Sequence, residues 1–75
     1  MIEIMIKLDA IADVKDFVAL VESECTFPVD LCSGRYVVDA KSIMGIYSLD
    51  LMNPIKLVAY TEDENAVKKL RKYAI

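Results

Sequence analysis

Ile2, Ile4, Ile6 and Leu8 alternate with Glu3, Met5 and Lys7, and a period of two is the pattern of a strand with one buried face. At Ile11 the period changes. Ile11, Val14, Phe17, Val18 and Val21 fall on one helical stripe while Asp13, Asp16, Glu22 and Glu24 lie off it, which predicts a helix over 11–24. Asp9 just ahead of the stripe, with Asp13 and Asp16 early in it, places negative charge where a helix N-terminus favours it. Phe27, Val29 and Leu31 alternate again. Pro28 suits an edge strand or a strand start because it donates no ladder hydrogen bond. Ser33-Gly34 reads as a turn, and Tyr36, Val37 and Val38 open a second hairpin strand running to about Ala40.

Ser42 reads as the N-cap of a short helix carrying Ile43, Met44, Ile46, Tyr47 and Leu49. Gly45 inside it costs about 1 kcal/mol relative to Ala. Asn53-Pro54 is a turn signal, and Ile55, Leu57 and Ala59 alternate with Lys56, Val58 and Tyr60 as a last strand. Thr61 and Glu64 have the spacing of a capping box. Glu62, Asp63 and Glu64 then load the start of a third helix with negative charge, and Lys68, Lys69, Arg71 and Lys72 load its end with positive charge. Val67, Leu70 and Ala74 supply its apolar stripe.

The order is therefore β-α-β-β-α-β-α in a single domain, residues 1–75. Each strand has one apolar face that needs a cover, and three helices can supply it from one side, which gives an α+β open-faced sandwich. The expected core is Ile2, Ile4, Ile6, Phe27, Val29, Leu31, Ile55 and Leu57 from the sheet, faced by Phe17, Val21, Val67 and Leu70. No linker, repeat or low-complexity tract interrupts the chain.

Composition narrows the chemistry. Twelve acidic residues against nine basic ones give a net charge of −3, so nucleic acid and anionic membrane surfaces are poor partners. No apolar run approaches the ~20 residues of a membrane span, and Met1 leads directly into the first strand without a leader pattern, so the expected location is the cytoplasm. There is no histidine and no tryptophan, which removes every mechanism that needs an imidazole. Cys25 and Cys32 sit seven residues apart, outside any metal or redox spacing, and read as small apolar residues. Gly34 and Gly45 are the only glycines, too few for a phosphate-binding loop. Asp13 and Asp16, three apart on a helix, are ordinary dressing for a helix start, not an acid–base pair. No metal, cofactor or catalytic residue is indicated, and the expectation is that the chain is not an enzyme.

The segment from Lys41 to Leu49, K-S-I-M-G-I-Y-S-L, stands out because its apolar residues go round more than one side of a very short helix. A small domain cannot bury Ile43, Met44, Ile46, Tyr47, Leu49, Leu51 and Met52 together, so part of the segment reads as a partner surface rich in methionine. This segment resembles the second-helix motif of HPr, the histidine phosphocarrier of the bacterial phosphoenolpyruvate:sugar phosphotransferase system. The strand from Ile55 to Tyr60 and the order of elements are similar as well. The resemblance implies an HPr-like open-faced sandwich of four antiparallel strands and three helices.

The resemblance also marks a departure. HPr carries its phosphoryl group on a histidine at the start of the first helix, followed by an arginine and a proline. Counting back from Ser42 without gaps puts the histidine at Ile11, the arginine at Asp13 and the proline at Val14. A one-residue insertion near Gly34 would put the histidine at Ala10. On either count the phosphoacceptor is missing. What remains is Ser42, which matches the serine that a kinase phosphorylates in HPr of many Gram-positive bacteria, the modified protein then binding a regulator of carbon catabolite repression. A plain structural cap is the other reading of Ser42.

The expectation is a non-phosphocarrying regulatory or binding module related to the phosphotransferase system and sugar transport, with Ile43, Met44, Tyr47, Leu49 and Leu51 as partner-binding residues. Its partners would be phosphotransferase or catabolite-control proteins. The alternative is a small ligand-binding or dimerising regulatory domain that shares only the fold outline, and homo-oligomerisation stays open under both.

Overall fold

A computed structural model describes all 75 residues. Its elements are β1 (Ile2–Ile6), α1 (Ile11–Glu24), β2 (Val29–Ser33), β3 (Tyr36–Asp39), α2 (Ile43–Tyr47), β4 (Ile55–Ala59) and α3 (Glu64–Tyr73). The four strands form one antiparallel sheet in the order β1-β4-β2-β3. The fold is the α+β open-faced sandwich that the period changes predict.

Register explains why the sheet has one covered face. Ile2, Ile4 and Ile6 stand opposite Ala59, Leu57 and Ile55, and Val29 and Leu31 stand opposite Ala59 and Leu57 on the other side of β4. A period of two then puts all these side chains on the same face. Val14, Phe17, Val18 and Val21 of α1, Ile46 of α2, and Val67 and Leu70 of α3 complete the core. On the opposite face β4 carries Lys56 and Val58. Val58 is also buried, outside the main core and flanked across the strands by Glu3 and Asp30.

Two residues close the β2–β3 hairpin, Gly34 and Arg35, between the paired Ser33 and Tyr36. Gly34 has φ of +59°, the first-position glycine that a tight hairpin turn of this kind favours. On the other edge of the sheet the C-terminal segment lies along β1. Ala74 bridges Ile6, the Lys7 N–H donates to Tyr73 O at 3.0 Å, and the Ile75 N–H donates to Met5 O at 3.1 Å.

The sequence-based expectations fail at several places, each for a physical reason. Ile2 and Phe27 are only half-buried at the margin of the core, and Phe27 and Pro28 precede β2 instead of opening it. Ile11 lies on the helical stripe but is 69% exposed, because it is the first residue of α1, beyond the reach of the sheet. The Thr61–Glu64 capping box does not form. Thr61 Oγ1 accepts from the Asp63 N–H at 3.1 Å, and Asp63 becomes the N-cap by accepting from the Asn65 N–H at 3.0 Å. The helix therefore starts at Glu64, and it winds with 3-10 geometry.

Candidate functional site

The N-terminus of α1 is built around an acceptor that comes from inside the helix. Ala10 is the N-cap residue, in extended conformation with φ −137° and ψ 161°, and its methyl group can accept nothing. Asp13 reaches back instead. Its Oδ2 accepts from the Ala10 N–H at 3.1 Å and from the Asp9 N–H at 3.2 Å. This is the returning half of a capping box with the forward half missing. The half-buried carboxylate also sets a negative charge at the positive end of the helix dipole.

Lys7 ties this corner to the segment that follows the second helix. Its Nζ donates to Asp9 Oδ1 at 2.9 Å and to the Leu51 carbonyl oxygen at 3.0 Å. Lys7, Asp9 and Asp13 line a shallow cleft of about 340 Å³ with Lys72 and Tyr73 of α3. Tyr73 is fixed by an edge-on contact with the Phe17 ring, centroids 5.3 Å apart. Its hydroxyl is pushed above its ordinary range by burial first, then by the negative charges of Asp16 and Asp13. The cleft thus holds carboxylates, ammonium groups and a phenol, with no nucleophile beside a base. No three Cys, Asp or Glu side chains converge where a cation could be held.

The second helix is built differently. Ser42 is its N-cap, with φ −99° and ψ 102°, and its Oγ accepts from the Gly45 N–H at 3.1 Å. The next turn anchors the helix through Ile46, which is fully buried. Around this anchor Met44 is 79% exposed, and Ile43 and Tyr47 are also exposed. Two expected partner-binding residues leave the surface. Leu49 is 6% exposed and belongs to the core cluster, and Leu51 is half-buried and packed against it. The chain turns back toward the sheet after Tyr47 and carries both side chains inward. Met52, beyond them, is 84% exposed. It follows the end of the helix, where helical periodicity says nothing about direction.

Of the positions singled out from the sequence, Ala10, Ile11 and Asp13 therefore gather at one helix start, and Ser42, Ile43, Met44 and Tyr47 at the other. Cys25 and Cys32 are both free thiols. Burial is the main cause that pushes the Cys25 thiol up.

No protein-family model matches the chain, and no curated protein does. Among solved structures, HPr-C-His from Thermoanaerobacter tengcongensis superposes with a TM-score of 0.79 at 31% sequence identity, over 96% of this chain and 89% of the other. This chain belongs to the HPr family. The identity over almost the full length removes the alternative that only the fold outline is shared. Within the HPr fold the two helix starts described above now have distinct characters. At α1 the chain has an alanine cap and an aspartate that folds back on it, and at α2 it has a serine cap beside exposed Met44. No helix is long and apolar enough to cross a membrane.

Proposed function

We propose that this HPr-family chain is a non-phosphocarrying regulatory or binding module related to the bacterial phosphotransferase system, and that it works through the Ser42–Met52 segment. One contrast supports the reading. The start of α1 offers no imidazole, since the chain has no histidine, and an anion arriving there meets the Asp13 carboxylate already hydrogen-bonded to the Ala10 and Asp9 N–H groups. The α2 helix leaves Ile43, Met44 and Tyr47 open to a partner, and Met52 beyond its end is exposed as well. In this reading the chain is not an enzyme, needs no cofactor and acts in the cytoplasm. Its partners are phosphotransferase or catabolite-control proteins.

Ser42 is the candidate for regulatory phosphorylation. Its Oγ accepts the Gly45 N–H, so a phosphate there would replace a neutral cap by an anion at the edge of the same apolar surface. Incubation with phosphoenolpyruvate and enzyme I, the first phosphotransferase component, tests the first half of the proposal and should leave the mass unchanged. An acid-labile adduct of about 80 Da, one phosphate, would overturn it. Titration of the purified chain against enzyme I and against the catabolite regulator tests the second half. Binding that Met44→Asp abolishes is expected, and binding to neither protein would remove the proposed surface.

A further inference from the structure

The sheet has two edges and the chain covers only one. The C-terminal segment lies along β1 at Met5, Ile6 and Lys7, whereas β3 is an edge strand with no neighbour on its outer side. The Ala40 N–H donates to Val29 O at 2.9 Å, across to β2. By strand alternation the N–H and C=O groups of Val38 and Tyr36 face β2 as well, and those of Val37 and the N–H of Asp39 point outward, while the Asp39 C=O accepts the Ser42 N–H at 3.0 Å. Tyr36 is 69% and Val37 62% exposed. Proline, lysine and a bulge, the usual means of blunting an edge, are absent from Tyr36–Asp39.

The charges along this edge state what it accepts. Register sets Asp39 directly opposite Asp30, a like-charge pair that destabilises a sheet. Asp30 Oδ2 accepts from the Tyr60 hydroxyl and Asp39 Oδ1 from the Lys41 N–H, but neither carboxylate takes part in an ion pair. Arg35, exposed at the other end of the edge, has no ion-pair partner either. An edge with an unpaired cation at one end and an unpaired anion at the other is complementary to itself when run antiparallel.

We propose that the β3 edge pairs with the β3 edge of a second copy of this chain about a two-fold axis at Val37, joining two sheets into one. Val37 then faces the partner's Val37, and the outward N–H and C=O groups of the two exchange both hydrogen bonds. Arg35 stands opposite the partner's Asp39 at each end of the seam, relieving the Asp30–Asp39 repulsion. A shift of two residues, the smallest that keeps outward-facing groups opposite one another, sets Arg35 opposite Lys41 or opposite Val37 and forfeits both ion pairs, so charge selects the register. The α2 surface takes no part in the pairing, and the inference stands apart from the proposed function.

Sedimentation equilibrium on the full chain, from micromolar to millimolar concentration, tests the proposal. The expected result is a weight-average mass that climbs toward twice the monomer and falls back at high salt. Arg35→Asp and Asp39→Arg should each weaken self-association roughly tenfold or more, since each removes two ion pairs per dimer. Mixed in equal amounts, the two variants should form a heterodimer, because each supplies the charges that the other lacks. Val37→Pro removes an N–H that the single chain does not use, so it should keep the far-UV circular dichroism of the parent and remain monomeric. A wild-type chain that stays monomeric across the range overturns the proposal. So does a Val37→Pro or Arg35→Asp protein that associates as tightly as wild type, or a mixture of the two charge variants that shows no heterodimer.

Discussion

A Cβ atom built on Gly45 would stand 3.0 Å from Ser42 Oγ, the same oxygen that accepts the Gly45 N–H at 3.1 Å, and 3.2 Å from Val38 Cβ. Glycine at this position lets one turn of helix approach both its own cap and β3. The helix-propensity cost of about 1 kcal/mol is thus accepted for close packing. Gly45→Ala should destabilise the fold by roughly 1 kcal/mol net, because neither the capping oxygen nor the strand can yield freely. Ser42→Ala should cost about 1 kcal/mol through the lost cap. Combined, the two should cost clearly less than their sum, since removing Oγ makes room for the new methyl group. Urea denaturation of the four proteins gives the coupling, and strict additivity would show that the cap does not restrict Gly45.

Asp13 is expected to matter more for folding than its half-exposed position suggests. Asp13→Ala releases the Ala10 and Asp9 N–H groups and should lower stability by about 1–2 kcal/mol. Asp13→Asn, which retains one acceptor oxygen, should lose less. Ile11→His by itself should not create a phosphoacceptor, because the Asp13 carboxylate still occupies the helix start. Mass spectrometry after incubation with phosphoenolpyruvate and enzyme I checks this, with the Ile11→His, Asp13→Arg double variant as the comparison.

Met44 and Leu49 are five residues apart and should respond in opposite ways to the same substitution. Met44→Asp adds a charge to a solvated side chain and should change stability by no more than about 0.5 kcal/mol, while removing partner binding. Leu49→Asp buries an unpaired charge and should cost several kcal/mol. Paired thermal melts decide it. A Met44→Asp protein that melts as low as Leu49→Asp would place Met44 in the core.

Alkaline pH should expose the burial of Cys25. Its thiol is raised above the ordinary value of 9.0, chiefly by desolvation, so the folded state holds the proton more tightly than the unfolded chain. That contribution is fully present below pH 9.0, and it is lost as pH rises through the folded value. Tyr73 adds a decline of the same sign starting above its ordinary value of 10.0. Melting temperature should therefore fall above pH 9, and Cys25→Ala should fall less steeply in the first part of that range. Equal slopes would show that the thiol does not titrate with unfolding.

Periodicity made the fold legible because the two faces of each strand and helix differ sharply in polarity. Ile4, Ile6, Val29, Leu31, Ile55 and Leu57 form the sheet side of the core, and Phe17, Val21, Val67 and Leu70 face them, as their spacing predicts. The Ser42 cap was equally legible, since a serine ahead of an apolar run satisfies helix N–H groups by local geometry alone. The start of α3 was not, although its chemistry is just as local. Thr61 and Asp63 were both candidate caps; Thr61 takes the Asp63 N–H and Asp63 the Asn65 N–H, and only the backbone path shows that the helix begins after Asp63.

The candidate site divides in the same way. The sequence alone determined that no imidazole exists, that Asp13 lies one turn into the first helix, and that the α2 segment has more apolar residues than one helix face can hide. Which of them are hidden was decided by the tertiary structure. Leu49 and Leu51 turn inward because the chain must return to the sheet after a helix of only five residues, and Met44 and Met52 are left outside. Ile11 shares its helical stripe with Phe17 yet ends in solvent, because a stripe records direction around the helix axis and not how far the sheet extends beneath it.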